Sequence, residues 1–289
     1  MPLEEQVKEK IDKIKLGDPN KNNDLGIEFN NTKDIICTLN DIGNYLVTDD
    51  SGSHAIYRGQ SDYSWELEST LHRYTGKDDF CLNKYEEIIK EAFRAARIFN
   101  PKFLANLPEF KRGPYEISLP TSIPNAEYIV ALRHLGFPAP IIDFTSSPAV
   151  ALFFSCHKNP DRDGKIFIYC DMPCNMAISS NGTDGPEYQH IGHYITAHPR
   201  HETQEASYIF PYFYNKQDSR YYFSKKAPCN LKFQSDDSIY HKTLLTLKIK
   251  SEMKLEILKY LDLFNLNAQS LFHDTENMLK TLAFRNFNK

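Results

Sequence analysis

Three short segments carry side chains suited to recognising an anion and handling charge. The first is Tyr57-Arg58-Gly59-Gln60. A guanidinium offers a planar fork matched to phosphate or carboxylate, and the glycine beside it lets a ligand approach the backbone closely. The same arginine could equally be buried against a carboxylate such as Asp143. The second segment is Thr145-Ser146-Ser147, directly before Pro148. Hydroxyls followed by proline mark a helix start, so Ser146 or Ser147 is expected to cap it, worth ~1 kcal/mol. A helix start also suits an anion, which leaves another hydroxyl to face a ligand. The third is Glu202-Thr203-Gln204-Glu205. Read as a strand, it puts Glu202 on the face of Gln204 and turns Glu205 away. No Gly-x-Ser-x-Gly is present, which weakens a nucleophilic-serine hydrolase reading.

Other groups carry less. His190, His193, His198 and His201 make two H-x-x-H spacings, yet Gly192 and Pro199 argue against the regular helix that would bring such pairs together. No metal is expected. The tyrosines and phenylalanines between Tyr208 and Tyr222 suit a core or a sheet face better than a stacking platform, although Lys216, Arg220, Lys225 and Lys226 lie among and beyond them.

Elements that would position these segments can be read from spacing. Val7, Ile11, Ile14 and Leu16 repeat at helical period, and Asn31-Thr32 can cap a second helix carrying Ile35, Leu39, Ile42 and Leu46. A strand is expected over 54–59, helices over 85–99 and 125–135, and a Pro-rich loop over 100–125. A short strand at Ile141-Ile142 hands over to the helix at Pro148. Strands are expected over 165–170, 206–212 and 244–249, and helices over 254–263 and 275–284. Strands and helices mix without strict alternation, which favours an α+β fold with a mainly antiparallel central sheet, flanking helices and an N-terminal helical lead-in.

The chain of 289 residues fits one large domain, or one domain with a small appendage, and 41% hydrophobic residues suffice for a packed core. Net charge of −4 advertises neither nucleic acid nor anionic membrane. Six scattered cysteines, a charged N-terminus and no apolar run long enough for a bilayer predict a cytoplasmic protein without a membrane partner.

Taken in order, the motifs resemble a known family. Tyr57-Arg58-Gly59-Gln60 is followed by Trp65-Glu66-Leu67 and Ser69-Thr70-Leu71-His72-Arg73. Then come His134-x-Gly136-x-Pro138 and the segment Asp143-x-Thr145-x-Ser147-Pro148 leading into Val150–Phe154. Arg200 and Gln204 precede Ile209-Phe210, and the tail holds Lys248-Ile249, Lys254-x-x-Ile257-Leu258 and Leu271-Phe272-x-Asp274. This order resembles the FRG domain, named for its Phe/Tyr-Arg-Gly motif, over residues 50–284. The resemblance implies an FRG domain over 50–289 behind a lead-in over 1–49. More distantly, the three segments are similar to those of Arg–Ser–Glu class ADP-ribosyltransferases. That likeness implies NAD as a bound nucleotide or substrate and an ADP-ribosyltransferase-like sheet. It also implies a role as a toxin or defence effector with a protein or nucleic-acid acceptor. Tyr57, Arg58, Gly59, Gln60, His134, Thr145, Ser146 and Ser147 would bind the nucleotide, and Arg58, Ser146, Glu202 and Gln204 would act on it. Breaking a nicotinamide–ribose bond develops positive charge that a nearby carboxylate stabilises, a task open to Glu202 but not to Gln204. Two rivals remain: a non-catalytic ligand- or partner-binding module, which Gln204 favours, and a nucleic-acid-directed protein.

Overall fold

The computed structural model describes residues 5–10, 23–46, 54–99, 126–172, 177–178, 187–191, 199–225, 230–235 and 238–287. The expected loop over 100–125, most of the first helix, and His193 and His198 lie outside these residues.

The fold is mixed α+β around a sheet that is antiparallel at all but one pairing among the described strands. Those strands are β1 (Asn23–Asp24), β2 (His54–Gln60), β3 (Asp79–Cys81), β4 (Ile142–Thr145), β5 (Gly164–Met172), β6 (Ala177–Ile178), β7 (Glu187–Ile191), β8 (Ala206–Asn215), β9 (Arg220–Ser224), β10 (Asn230–Ser235) and β11 (Ser238–Ile249). They run in the order β1-β11-β5-β2-β4-β8-β7-β6, with β10 on β11 and β9 joining β8 to β3. Only β1 and β11 pair parallel. The helices are α1 (5–10), α2 (Thr32–Leu46), α3 (Thr70–Thr75), α4 (Leu82–Phe99), α5 (Ala126–His134), α6 (Pro148–Cys156), α7 (Pro199–Thr203), α8 (Lys254–Leu263), α9 (Ala268–Phe272) and α10 (Thr275–Phe287).

Alternation on β2 decides which side of the sheet each motif residue serves. Tyr57 packs with α2 and α6 in one core, while Ile56 packs with Ile142, Phe144, Phe167 and Tyr169 on the other side. The first core also takes Leu25, Ile27 and Phe29, so the segment before β2 is built into the same apolar interior. A third cluster joins α3, α4 and α5 to β8 and β9.

Helix α6 is apolar nearly all round because it is buried between sheet and helices: Val150, Ala151, Leu152 and Phe153 are all buried. It comes close to β2 and β5 because both strands present a glycine to it. A Cβ on Gly59 would lie 1.8 Å from the Ala151 carbonyl oxygen, and one on Gly164 would lie 2.4 Å from that of Ser155. Gly59 is therefore required for packing a helix on the sheet.

Several expectations change in detail. The strand expected over 54–59 runs one residue further, through Gln60. Asn31 caps α2 as expected, its side chain accepting the Asp34 N–H at 2.9 Å. Ser147 occupies the N-cap position of α6, but neither it nor Ser146 caps with its side chain. Thr145 does the local work instead, accepting the Ser147 N–H at 3.0 Å on its hydroxyl. Pro199 does not exclude helix. It opens the short helix α7, whereas His190 lies on β7. The Glu202–Glu205 segment is consequently no strand. Glu202 sits in α7, and Gln204-Glu205 form a turn that ends where Glu205 takes a left-handed φ of 43°. The alternation argument for Glu202 and Gln204 fails for that reason.

Candidate functional site

The three motif segments converge because β2, β4 and β8 are neighbours. Tyr57 pairs with Thr145 across β2 and β4, and Thr145 pairs with Ala206 across β4 and β8. A cleft of about 480 Å³ lies along this junction. Its walls include Tyr57, Arg58, Gly59, Gln60, His134, Thr145 and Gln204, together with Asp143. Ser146, Ser147, Glu202 and Glu205 do not line it.

Arg58 lines the cleft and is also an ion-pair partner of Asp143. Its Nη1 donates to the Asp143 backbone carbonyl at 2.5 Å and lies 3.7 Å from the Asp143 carboxylate. Arg133 Nη2 holds the same carboxylate at 3.0 Å. Burial raises the Asp143 carboxyl, but Arg133 and Arg58 outweigh that and keep it below its ordinary value, hence ionised. Burial, opposed by Asp143 and reinforced by Arg133 and Arg73, brings Arg58 down to about 10, still cationic at neutral pH.

One carboxylate thus serves a surplus of cations. Among the described residues, Arg58, Arg73, Arg133, Lys158 and Arg200 line the cleft, against one acid, Asp143. Of the five, Arg200 also has an acid outside the cleft, Asp274 at 3.0 Å. Arg73 reaches the cleft from α3, whose start Ser69 caps by accepting the His72 N–H. Buried His72 bonds Ser69 Oγ through Nδ1 at 2.6 Å and the Phe223 carbonyl through Nε2 at 3.2 Å. The Ser69–Arg73 motif is a lock that presents an arginine. Sequence reading missed Arg73, Arg133 and Arg200 as cleft residues; the arginine count alone does not reveal which share a wall.

Three buried polar atoms in the cleft wall have no hydrogen-bond partner: Arg58 Nε, Arg133 Nε and Gln60 Oε1. Leaving such groups unsatisfied costs about 1–3 kcal/mol each, a cost that clusters at functional sites.

The remaining candidates are tied into the scaffold. Thr145 Oγ1 donates to the Gln204 carbonyl at 2.6 Å. Gln204 Nε2 donates to the Leu271 carbonyl at 3.0 Å. Ser146 bonds Glu205 through its backbone N–H at 3.0 Å and its hydroxyl at 3.3 Å. His134 Nε2 meets the Tyr208 hydroxyl at 3.0 Å. Glu202 is exposed outside the cleft, so no carboxylate from the third segment faces it. Among the described residues no group of three or more acids, cysteines or histidines is arranged to hold a metal. No helix there is long and apolar enough to cross a membrane.

Comparison with known families matches residues 53–164 to the FRG domain. The matched span takes in β2, α3, α5, β4 and α6 and stops short of Gln204. No curated protein and no solved structure matches the chain.

Proposed function

With an FRG domain over residues 53–164 as the premise, we propose that the cleft binds a phosphorylated nucleotide, NAD or a close relative. The observation that carries this is the cation surplus among the described residues: Arg58, Arg73, Arg133 and Lys158 stand against one shared carboxylate, Asp143, with Arg200 beside them paired to Asp274. Guanidiniums recognise phosphate by paired charge-assisted hydrogen bonds. The walls also hold rings, with Trp65 exposed at 41% and Phe144, Phe154, Tyr208 and Phe272 beside the arginines. A volume of about 480 Å³ falls within the usual range for a small-molecule site.

Binding without turnover is the reading the geometry favours. Glycosidic cleavage needs a carboxylate at the ribose, and Asp143, the one in the cleft wall among the described residues, is occupied by two guanidiniums. ADP-ribosyl transfer or NAD cleavage would therefore have to run through Asp143.

Titration calorimetry with inorganic pyrophosphate, ADP and NAD tests the proposal. Saturable binding that weakens as salt rises is expected. Arg73→Ala, an exposed arginine of the cleft, should weaken all three by roughly tenfold, the loss of one charge-assisted bond. Heat on none of the three at millimolar ligand sinks the proposal. Nicotinamide released from NAD by the wild type and not by Asp143→Asn would move the reading from binding to catalysis.

A further inference from the structure

A second chamber of about 540 Å³ adjoins the basic cleft. His157, Lys158, Arg200 and Phe272 line both, so the two share a wall. Beyond that wall the chemistry changes. The second chamber is bounded by Phe153, Leu258, Leu266, Ala268 and Phe284. Its acids are matched: Asp274 with Arg200 at 3.0 Å, Asp262 with Arg285 at 2.8 Å, and Glu276 with Lys280 at 2.5 Å. The first cleft has more cations than acids; the second is charge-balanced, with Phe153, Leu258, Leu266, Ala268, Phe272 and Phe284 set among its polar groups.

The shared wall is built from rings in fixed relation. His157 stacks on Phe153 with centroids 5.1 Å apart and planes at 20°. Phe272 meets Phe154 edge-on at 5.8 Å, and the Arg200 guanidinium lies 5.4 Å from the Phe272 centroid. Burial pushes His157 down to about 4, so its imidazole adds no charge to the wall at neutral pH. A charged ligand group entering the second chamber would find the acids there already paired. An uncharged planar ring would find aromatic and aliphatic surface.

We propose that the two chambers hold one ligand, its phosphates among the arginines of the first cleft and an uncharged planar base in the second, beside Phe272 and Phe284. The inference rests on the nucleotide reading of the first cleft. It narrows that reading to nucleotides whose base is neutral, such as adenine, and gives the C-terminal helices a part in the site. The four lining residues common to both chambers, and the change from a cation-rich cleft to a charge-balanced chamber with aromatic and aliphatic groups, point to this occupant, because a nucleotide joins both chemistries in one molecule.

The test compares ADP with inorganic pyrophosphate by calorimetry on the full chain. The wild type should bind ADP more tightly. Phe284→Ala, which removes a wall, and Ala268→Phe, which fills the chamber, should each weaken ADP by roughly tenfold, the size of one lost ring contact. Neither should alter pyrophosphate affinity, which also shows that each variant is folded. The inference is overturned if ADP and pyrophosphate bind wild type equally. It is equally overturned if both variants leave ADP unchanged, or lower both ligands alike. Absence of binding of pyrophosphate, ADP and NAD alike by wild type would instead overturn the nucleotide reading itself.

Discussion

At the scale of single residues, the site is a matter of which polar groups are already spent. The hydroxyl of Thr145 both donates and accepts within the scaffold, and the Gln204 amide is tied to Leu271. Arg58, Arg73 and Arg133 line the cleft in excess of Asp143, the acid beside them. A neighbouring residue gives a test of burial at the shared wall. His157 is held neutral in the fold with a pKa of about 4, whereas an unfolded histidine titrates near 6.5. Between those values the unfolded chain binds the extra proton, so stability falls as pH drops from about 6.5 to about 4. His157→Phe keeps a ring on Phe153 and removes the titration. Its unfolding free energy should depend on pH less steeply across that window, by up to one proton, than the wild type's. Equal slopes in denaturant melts at pH 6.5, 5.5 and 4.5 would show that His157 is solvated. His72, also lowered by burial, should account for part of the slope that remains.

At the scale of elements, the Tyr-Arg-Gly motif joins two demands at adjacent positions. Arg58 serves the cleft; Gly59 serves helix α6, whose backbone would collide with any side chain there. Gly59→Ala should cost at least about 3 kcal/mol, the upper part of the overpacking range, because the contact is with backbone that no rotamer can clear. Gly136→Ala is the control. It has open space but a φ of 89°, so it should cost about 1–2 kcal/mol from backbone strain alone. Urea unfolding of both reads the difference, and equal losses would contradict the packing account. Much of this layer is legible in the sequence. The strand–hydroxyl–Pro148 junction, the start of α2 at Asn31, and the extent of α8 all follow from caps and spacing. Where the third segment turns is not legible. A proline breaks a helix in its interior but is welcome at its first position, and the residues around Pro199 do not say which applies. It proves to be the first residue of a five-residue helix, too short to show a repeat. The short elements α3, β3 and β9 lack a periodic signal for the same reason, because three to six residues hold too few buried positions.

At the scale of the whole molecule, distant motifs turn out to be partners. Arg200 bonds the Phe272 carbonyl at 3.1 Å and the Asp274 carboxylate at 3.0 Å, and Gln204 bonds Leu271. The pattern around 200–204 and the pattern at 271–274 are thus two sides of one contact, which no local reading of either could reveal. Lys254 makes a similar long-range link. It is buried to 2% exposure, and its ammonium donates to the carbonyls of Ser61 at 2.8 Å, Asn159 at 3.0 Å and Lys158 at 3.2 Å. No carboxylate pairs with it in that cage, and burial lowers its pKa, so desolvation opposes the three bonds. The three acceptors belong to the turns after β2 and α6, and Ser61 and Lys158 line the cleft. If the bonds outweigh desolvation, Lys254→Met leaves carbonyls without a donor and should destabilise the fold by about 3 kcal/mol. The same change should loosen the cleft wall and weaken pyrophosphate binding. Arg73→Ala should weaken binding while leaving the melting temperature unchanged, because its arginine is exposed. A Lys254→Met protein that melts higher than wild type would show that the buried charge is carried at a net cost. One that melts lower yet binds pyrophosphate normally would separate the cage from the site. Concurrent loss of stability and affinity is the outcome expected of a lysine that fixes two cleft-lining turns to helix α8.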